Sequence, residues 1–496
     1  MQKRIFPILL FSLIPVFHVN AKPSVHWQER VAVIYVKNKY LYELQNKYQL
    51  SKDNFVHVKS GKGGSYYRVP LKTFRQIDAK YRTHIKNPPF LWIEPEIEKR
   101  RLSDDIAVLR SGYKDEVITE KILKYFIKTY PDYTKLSVIG KSLQGRPIYG
   151  LKVSRNPHKE EDEPSFMFAA ALHGNEPVSI DYVLDMAHYV LENTKTRKNK
   201  YVSRAVENGE IWFVPIINPD GVHIFWNRSS SDGRKNARDT SSPGGWNSGD
   251  GVDLNRNFSF FWNSGHREAS SGNPRSVFYR GSHAASEPEV QTMMKLAESE
   301  RFVLSFTYHT FATKILTPYT IEGAQNPYPN NTFRVAQNIA KKGKSYRKNK
   351  DYIADKNLYP VDGTDQDWYF NQFGTFAYTV EGSFHTPEYR DAEKSIKGML
   401  PMSIEMLKVY FKGPTLVVHT VNESGKPIAA EVRIAEIAHL SNEKLLTEKR
   451  FGRFDFVLFD ADTYTIIAEK KGYRRFSKRI KCRKGVKELT IKMIPL

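Results

Sequence analysis

An α/β fold with a mixed central sheet and flanking helices is predicted, preceded by a small α+β unit and followed by a β-sandwich. Three observations predict it. Between about residues 111 and 412, helical patterns alternate with short apolar runs, as they do when strands and helices alternate along one sheet. Four of those runs stop at polar or charged residues, and in open α/β sheets sites form outside the carboxyl ends of strands. From Pro414 onward the pattern changes to short alternating strands with frequent turn signals, such as Ser424-Gly425-Lys426-Pro427, which reads as a β-sandwich over 413–496.

The chain opens with Lys3 and Arg4, an apolar run over 5–17, and the small-residue site Val19-Asn20-Ala21. This is the pattern of a secretory signal over residues 1–21. A membrane anchor fits less well, because the run contains two prolines and falls short of the ~20 apolar residues a span needs. Residues 22–110 read as a small α+β unit and a candidate propeptide. Strand 31–36 and a helical pattern over 40–50 come first. A hairpin turn at Gly61-Lys62-Gly63-Gly64 follows, then a strand through Tyr67 and Val69 and a helical pattern over 71–85. The unit ends near Lys99, Arg100 and Arg101, which a protease could cut.

With 496 residues the chain has room for two or three domains, and its mean hydropathy of −0.53 excludes a polytopic membrane protein. The single cysteine, Cys482, rules out an intramolecular disulfide and reads as a passive thiol. An exported chain without disulfides points to a bacterial periplasm or exterior. The net charge of +22 suits anionic partners such as envelope polymers. The densest basic run, 341–350, reads as a solvated face, since no nucleic-acid-binding motif accompanies the charge.

The chemistry gathers where the apolar runs stop. Run 165–172 ends at His173, run 302–308 at His309 and run 375–380 at Glu381; run 211–217 ends at Asn218-Pro219-Asp220. His173 and Glu176 flank a sharp turn at Gly174, with a helix expected from 177 to about 191. Any one of these residues is an ordinary buried polar group. Together, His173, Glu176 and His309 give two nitrogens and a carboxylate, which suits one catalytic Zn2+ with a position left open. Asp253 is a candidate acceptor for the free ring N–H of a ligand histidine. Glu381 can serve as general base to a metal-activated water. Arg234 can steady an oxyanion, although its polar loop alone reads as solvated. Asn255 and Arg256 can hold a carboxylate, the guanidinium offering a two-pronged donor fork.

These residues resemble the zinc metallocarboxypeptidases of the carboxypeptidase A/B type over roughly 115–412. The resemblance implies hydrolysis of the C-terminal peptide bond of peptides or proteins. It implies His173, Glu176 and His309 as zinc ligands, Glu381 as general base, and Arg234 as the carbonyl-polarising arginine. Asn255 and Arg256 would form the carboxylate clamp, Tyr359 the mobile tyrosine that closes over the substrate, and Asp253 the ligand-orienting aspartate. The strings Gly251-Val252-Asp253-Leu254-Asn255-Arg256-Asn257-Phe258 and Ser286-Glu287-Pro288-Glu289, with the β-sandwich tail, are similar to the regulatory N/E-type subfamily and its transthyretin-like domain. The folded first unit is more like the activation domain of the A/B group. Gln366 falls at the floor of the side-chain pocket. The place where the N/E type carries an acid reads as Thr320, and Asp362 and Asp365 flank the pocket loop as candidates to supply a basic preference. Two alternatives stand beside this reading: a murein stem-peptide peptidase of the same fold, and a non-catalytic envelope-binding protein.

Overall fold

The computed structural model describes residues 9–18, 26–37, 46, 56–61, 64–70 and 109. From 112 to 496 it describes all but 228–232, 241–246, 248, 311, 347–350, 357–358, 384–385 and 388. The expected helices over 40–50 and 71–85 lie outside these residues, apart from position 46.

The first described element is a four-stranded antiparallel sheet. It comprises β1 (Leu9–His18), β2 (His26–Lys37), β3 (Val56–Gly61) and β4 (Gly64–Pro70), in spatial order β1-β2-β4-β3. The run read as an export signal thus supplies β1, and β3 and β4 form the expected hairpin.

The central sheet has eight strands: β5 (Thr134–Lys141), β6 (Pro147–Val153), β7 (Ser165–Ala170), β8 (Glu210–Val214), β9 (Leu304–His309), β10 (Lys314–Leu316), β11 (Ile353–Asp355) and β12 (Phe376–Glu381). Their order is β11-β10-β12-β9-β7-β8-β6-β5. The middle four, β12-β9-β7-β8, run parallel, and antiparallel pairs join at both sides. Strands β7, β8 and β9 are buried along their whole length, as expected of strands covered on both faces. Two apolar cores flank the sheet. One includes Phe166, Phe168, Phe213, Phe306 and Tyr308, the other Met167, Trp212, Val214, Leu254 and Trp368.

Among the described residues, eight α-helices accompany these strands: α1 (Glu116–Thr129), α2 (Pro177–Thr196), α3 (Lys200–Glu207), α4 (Pro219–Asn227), α5 (Pro288–Glu300), α6 (Asn331–Ala340), α7 (Asp365–Phe373) and α8 (Tyr389–Lys412). Local chemistry starts them. Asp115 caps α1 by accepting from the Ile118 N–H at 2.7 Å, and Pro177 and Pro288 occupy first helical positions where no amide hydrogen is needed. Lys114, fully buried, ties the start of this unit to α2 and α8. Its ammonium pairs with Asp181 and donates to Tyr389 Oη at 2.6 Å and to the Leu109 carbonyl at 2.7 Å. A buried pair of this kind holds register, and loss of one partner would leave the other charge uncompensated. No helix among the described residues is long and apolar enough to cross a membrane.

After α8 come two three-stranded sheets. One has the order β15-β13-β18 (Arg453–Val457, Thr415–Val421, Val486–Lys492). The other has the order β14-β16-β17 (Glu431–Ile434, Thr463–Glu469, Phe476–Lys481). Leu416, Val418, Phe454 and Ile491 of the first share one core with Val432, Ile466, Ala468 and Ile480 of the second, and buried Cys482 belongs to it. Polar contacts join this module to the central unit: His419 Nε2 meets Asp162 at 2.8 Å, and Tyr319 Oη donates to Glu443 at 3.0 Å.

Candidate metal centre and substrate clamp

The site lies at the carboxyl ends of the parallel strands. His309 and Glu381 are the last residues of β9 and β12, one step earlier than expected, and the sheet register places them side by side. After β7 the chain turns through Ala171, whose φ of 50° is left-handed, and delivers His173 to the same edge. Gly174 must be glycine: an added Cβ would stand 2.1 Å from the Gly221 carbonyl carbon. Gly233, at φ 75°, faces the Gly221 carbonyl oxygen just as closely, at 2.4 Å from an ideal Cβ. The close approach of these two loops to the first turn of α4 brings Arg234 to His173.

His173, Glu176 and His309 converge. His173 Nδ1 lies 2.8 Å from Glu176 Oε1 and 3.1 Å from His309 Nδ1, and His309 Nδ1 lies 3.0 Å from Glu176 Oε2. The edge of a tetrahedron with Zn–N and Zn–O bonds near 2.0–2.1 Å is roughly 3.3 Å, close to these separations. All three side chains are buried. On the far side of the ring, His173 Nε2 lies 3.1 Å from Asp253 Oδ1, so the ring proton belongs there and Nδ1 presents a lone pair. A lone pair on His173 Nδ1 and the Glu176 carboxylate face one another across 2.8 Å, so the pocket favours positive charge. The local charges agree. Burial would raise the Glu176 carboxyl, yet His173 and His309 hold it well below the usual range. Burial works against protonated His309, but Glu176 and then Glu381 and Asp365 outweigh it and push His309 up to about 9. The residues present fit a zinc ion.

Asp253, fully buried, is a shared anchor. Besides His173 it accepts from Arg234 Nη2 at 2.8 Å, Arg234 Nε at 3.2 Å and the Asn255 N–H at 3.1 Å. Burial would raise its carboxyl, but Arg234, Arg256 and His173 hold it well below the usual range. Arg234 is therefore pinned rather than solvated, with Nη1 3.3 Å from His173 Nδ1. Glu381 presents Oε2 with no protein partner. Burial pushes its carboxyl up to about 8; Glu176 adds to the rise, while His309 and Arg234 oppose it.

Arg256 is buried, donates from Nη1 to the Asn255 carbonyl at 2.8 Å, and has no partner at Nε. Asn255 Oδ1 accepts the Asp365 N–H at 3.1 Å. Tyr359 is about half exposed, 52%. Gln366, by contrast, is buried and accepts from Thr379 Oγ1 at 2.9 Å.

Two contributions were given no role from the sequence. Phe278 stands over both guanidiniums, its ring centre 5.6 Å from Arg234 Cζ and 5.3 Å from Arg256 Cζ, within cation–π range of each. Glu287, in the string Ser286-Glu287-Pro288-Glu289, accepts from Asn236 Nδ2 at 2.7 Å and Arg238 Nε at 2.8 Å, fastening the Arg234 loop to α5. Asp220, at the end of the fourth apolar run, serves elsewhere, accepting from Ser142 Oγ at 2.8 Å and Arg146 Nη1 at 2.6 Å. In a second acidic group, Glu160, Glu210 and Glu300, Lys152 pairs with Glu210 and, at 3.5 Å, with Glu160, which also meets Arg450 at 2.7 Å.

Comparison with known proteins places this geometry. A family model described as zinc carboxypeptidase matches residues 119–403. Carboxypeptidase SOL1 of Arabidopsis thaliana is 25% identical over 382 residues, 74% of this chain and 69% of that protein. A zinc carboxypeptidase of Saccharothrix mutabilis subsp. capreolus is 27% identical over 283 residues, 55% of this chain and 62% of that protein. The crystal structure of thrombin activatable fibrinolysis inhibitor shares the fold with a TM-score of 0.55 at 20% identity, covering 77% of this chain and 100% of that one.

Proposed function

The chain belongs to the zinc carboxypeptidase family, and from that premise we propose that it is an exported enzyme that removes C-terminal residues from peptides or proteins. The observation that carries the reading is the pairing of two features on one sheet edge: the His173-Glu176-His309 triad, and a buried guanidinium with an open donor, Arg256, beside Asn255. The triad alone suits many hydrolases. The clamp adds recognition of a carboxylate, and a chain terminus supplies one beside the scissile bond.

His173 Nδ1, His309 Nδ1 and the Glu176 carboxylate would hold the zinc. Bound there, zinc supplies Lewis acidity, polarising a carbonyl and lowering the pKa of water. Asn255 and Arg256 bind the terminal carboxylate, and Tyr359 covers it. Arg234, held by Asp253, offers a preorganised donor where negative charge develops on the carbonyl oxygen. Glu381 takes a proton at its open Oε2 and returns it to the leaving amine. Blocked peptides, assayed with and without chelator, test the whole reading. Release of the last residue, loss of release with chelator and recovery with one Zn2+ per chain are expected. Release that survives complete metal removal would refute it, and cleavage confined to muropeptides would move the substrate to murein stem peptides.

The two C-terminal sheets with their shared core support an N/E-type chain with a transthyretin-like module. Between Lys470 and Lys487 there are ten Lys or Arg and no acid, and most of them are exposed on β17 and its flanks. A field of that sign favours anionic envelope polymers outside a bacterial cell. Residues 22–110 would act as a propeptide over the cleft, released near Arg101. N-terminal sequencing of the exported protein checks both steps. Lys22 is the expected start of the precursor and a residue near 101 that of the active form; full activity in the form beginning at Lys22 would exclude restraint by this segment.

A further inference from the structure

We propose that Asp365 determines specificity and that it selects a C-terminal lysine or arginine. This rests on the carboxypeptidase reading above. Side chains two apart on a strand share a face, roughly 6.5–7 Å from one another. In the register of β12 against β9, Glu381 pairs with His309, and two residues earlier Thr379 pairs with Thr307. These two threonines therefore lie one step below the metal edge, on the same face. The first turn of α7 is fastened to them: Thr307 Oγ1 donates to Asp365 Oδ2, and Thr379 Oγ1 donates to Gln366. On its other side the Asp365 N–H donates to Asn255 of the clamp. Asp365 thus sits between the group that would hold the terminal carboxylate and the strand residue beneath His309. The side chain of a bound C-terminal residue would extend towards that place.

Asp365 is 1% exposed, and its Oδ1 has no hydrogen-bond partner. Ser305 Oγ, a further step down β9, and Thr364 Oγ1 are likewise buried and unpartnered. The other polar candidates are occupied. Asp362 accepts from Ser270 Oγ at 2.6 Å, and Thr320 uses its N–H and hydroxyl on Asp367. Gln366 carries no charge. Burial pushes the Asp365 carboxyl up; His309, the Thr307 hydroxyl and the N-terminus of α7 oppose that rise but leave one oxygen unmet. Burying such an oxygen is costly, and a cationic side chain offsets that cost. An apolar side chain would leave it in place, and an acidic one would add repulsion.

The test compares kcat/KM for peptides identical except for a final Arg, Lys, Phe or Glu. The zinc-loaded wild-type chain should prefer Arg or Lys to Phe by at least about 100-fold, and Asp365→Asn should reduce the Arg-to-Phe ratio by about 100-fold. Zinc content and thermal melting establish that the variant is folded. Should it not fold, product inhibition of the wild type decides: free arginine should compete at least about tenfold more tightly than free phenylalanine. Cleavage of the Phe or Glu peptide at a rate equal to or above the Arg peptide overturns the assignment and leaves the peptidase reading standing. An unchanged ratio in folded Asp365→Asn does the same. Failure to cleave any of the four peptides overturns the peptidase reading and this assignment with it.

Discussion

Glu381→Gln is expected to lower kcat by about 100- to 10,000-fold while zinc content stays at one per chain. Glutamine keeps the size of the side chain and most of its contacts, so β12 and its pairing with β9 should be undisturbed. It cannot accept a proton and pass it on. Glu381 is the right group to lose because its Oε2 is free of protein partners and its strand register fixes it beside His309. Burial pushes its carboxyl up towards 8, and the positive charge of a bound cation acts in the opposite direction. A base must be ionised to act, so the rate should climb as pH rises through the pKa of Glu381 and fall away below it. That acid limb should be missing from the residual activity of Glu381→Gln. Turnover within tenfold of wild type, at normal zinc content, would remove Glu381 from the role.

Much of the site was legible because strand ends are legible. Apolar runs of strand length can be seen without knowing which strands pair, and His173, His309 and Glu381 each follow one. The exact ends were less so. His309 and Glu381 close their strands from within, whereas run 165–172 overshoots β7 by two residues, because the left-handed turn at Ala171 is set by contacts with the 217–218 backbone. Arg234 shows the limit more sharply. Its neighbours in sequence are polar, yet its environment is made by Asp253, nineteen positions on, and by two glycine-bearing loops and the first turn of α4, which meet only in the folded chain. Phe278 gave no signal either, since an exposed phenylalanine in a loop has no periodicity. Asp362 and Asp365 looked equivalent as sequence; in the fold Asp362 accepts at both oxygens, from Ser270 Oγ and the Ser264 N–H, whereas Asp365 Oδ1 has no hydrogen-bond partner.

The greatest combined loss is expected from Asp253→Asn, because one carboxylate serves three clients. It accepts hydrogen bonds from His173 Nε2, from two nitrogens of Arg234 and from the Asn255 N–H. An asparagine oxygen could still accept from His173, but the charge that holds Arg234 is gone, and the amide can also turn its NH2 towards the ring and disfavour the tautomer with Nδ1 free. Zinc affinity should fall about 10- to 100-fold, measured by competition with a chromophoric chelator. At saturating zinc, kcat/KM should still be down by at least about 100-fold, because Arg234 no longer meets the developing oxyanion in a fixed position. Arg234→Ala should produce a similar kinetic loss with normal zinc affinity, which separates the two clients. Combining the variants should cost much less than the sum of the separate losses, since both break the same unit. Strict additivity, or zinc affinity unchanged in Asp253→Asn, would mean that the ring of His173 and the guanidinium of Arg234 are positioned independently of this carboxylate.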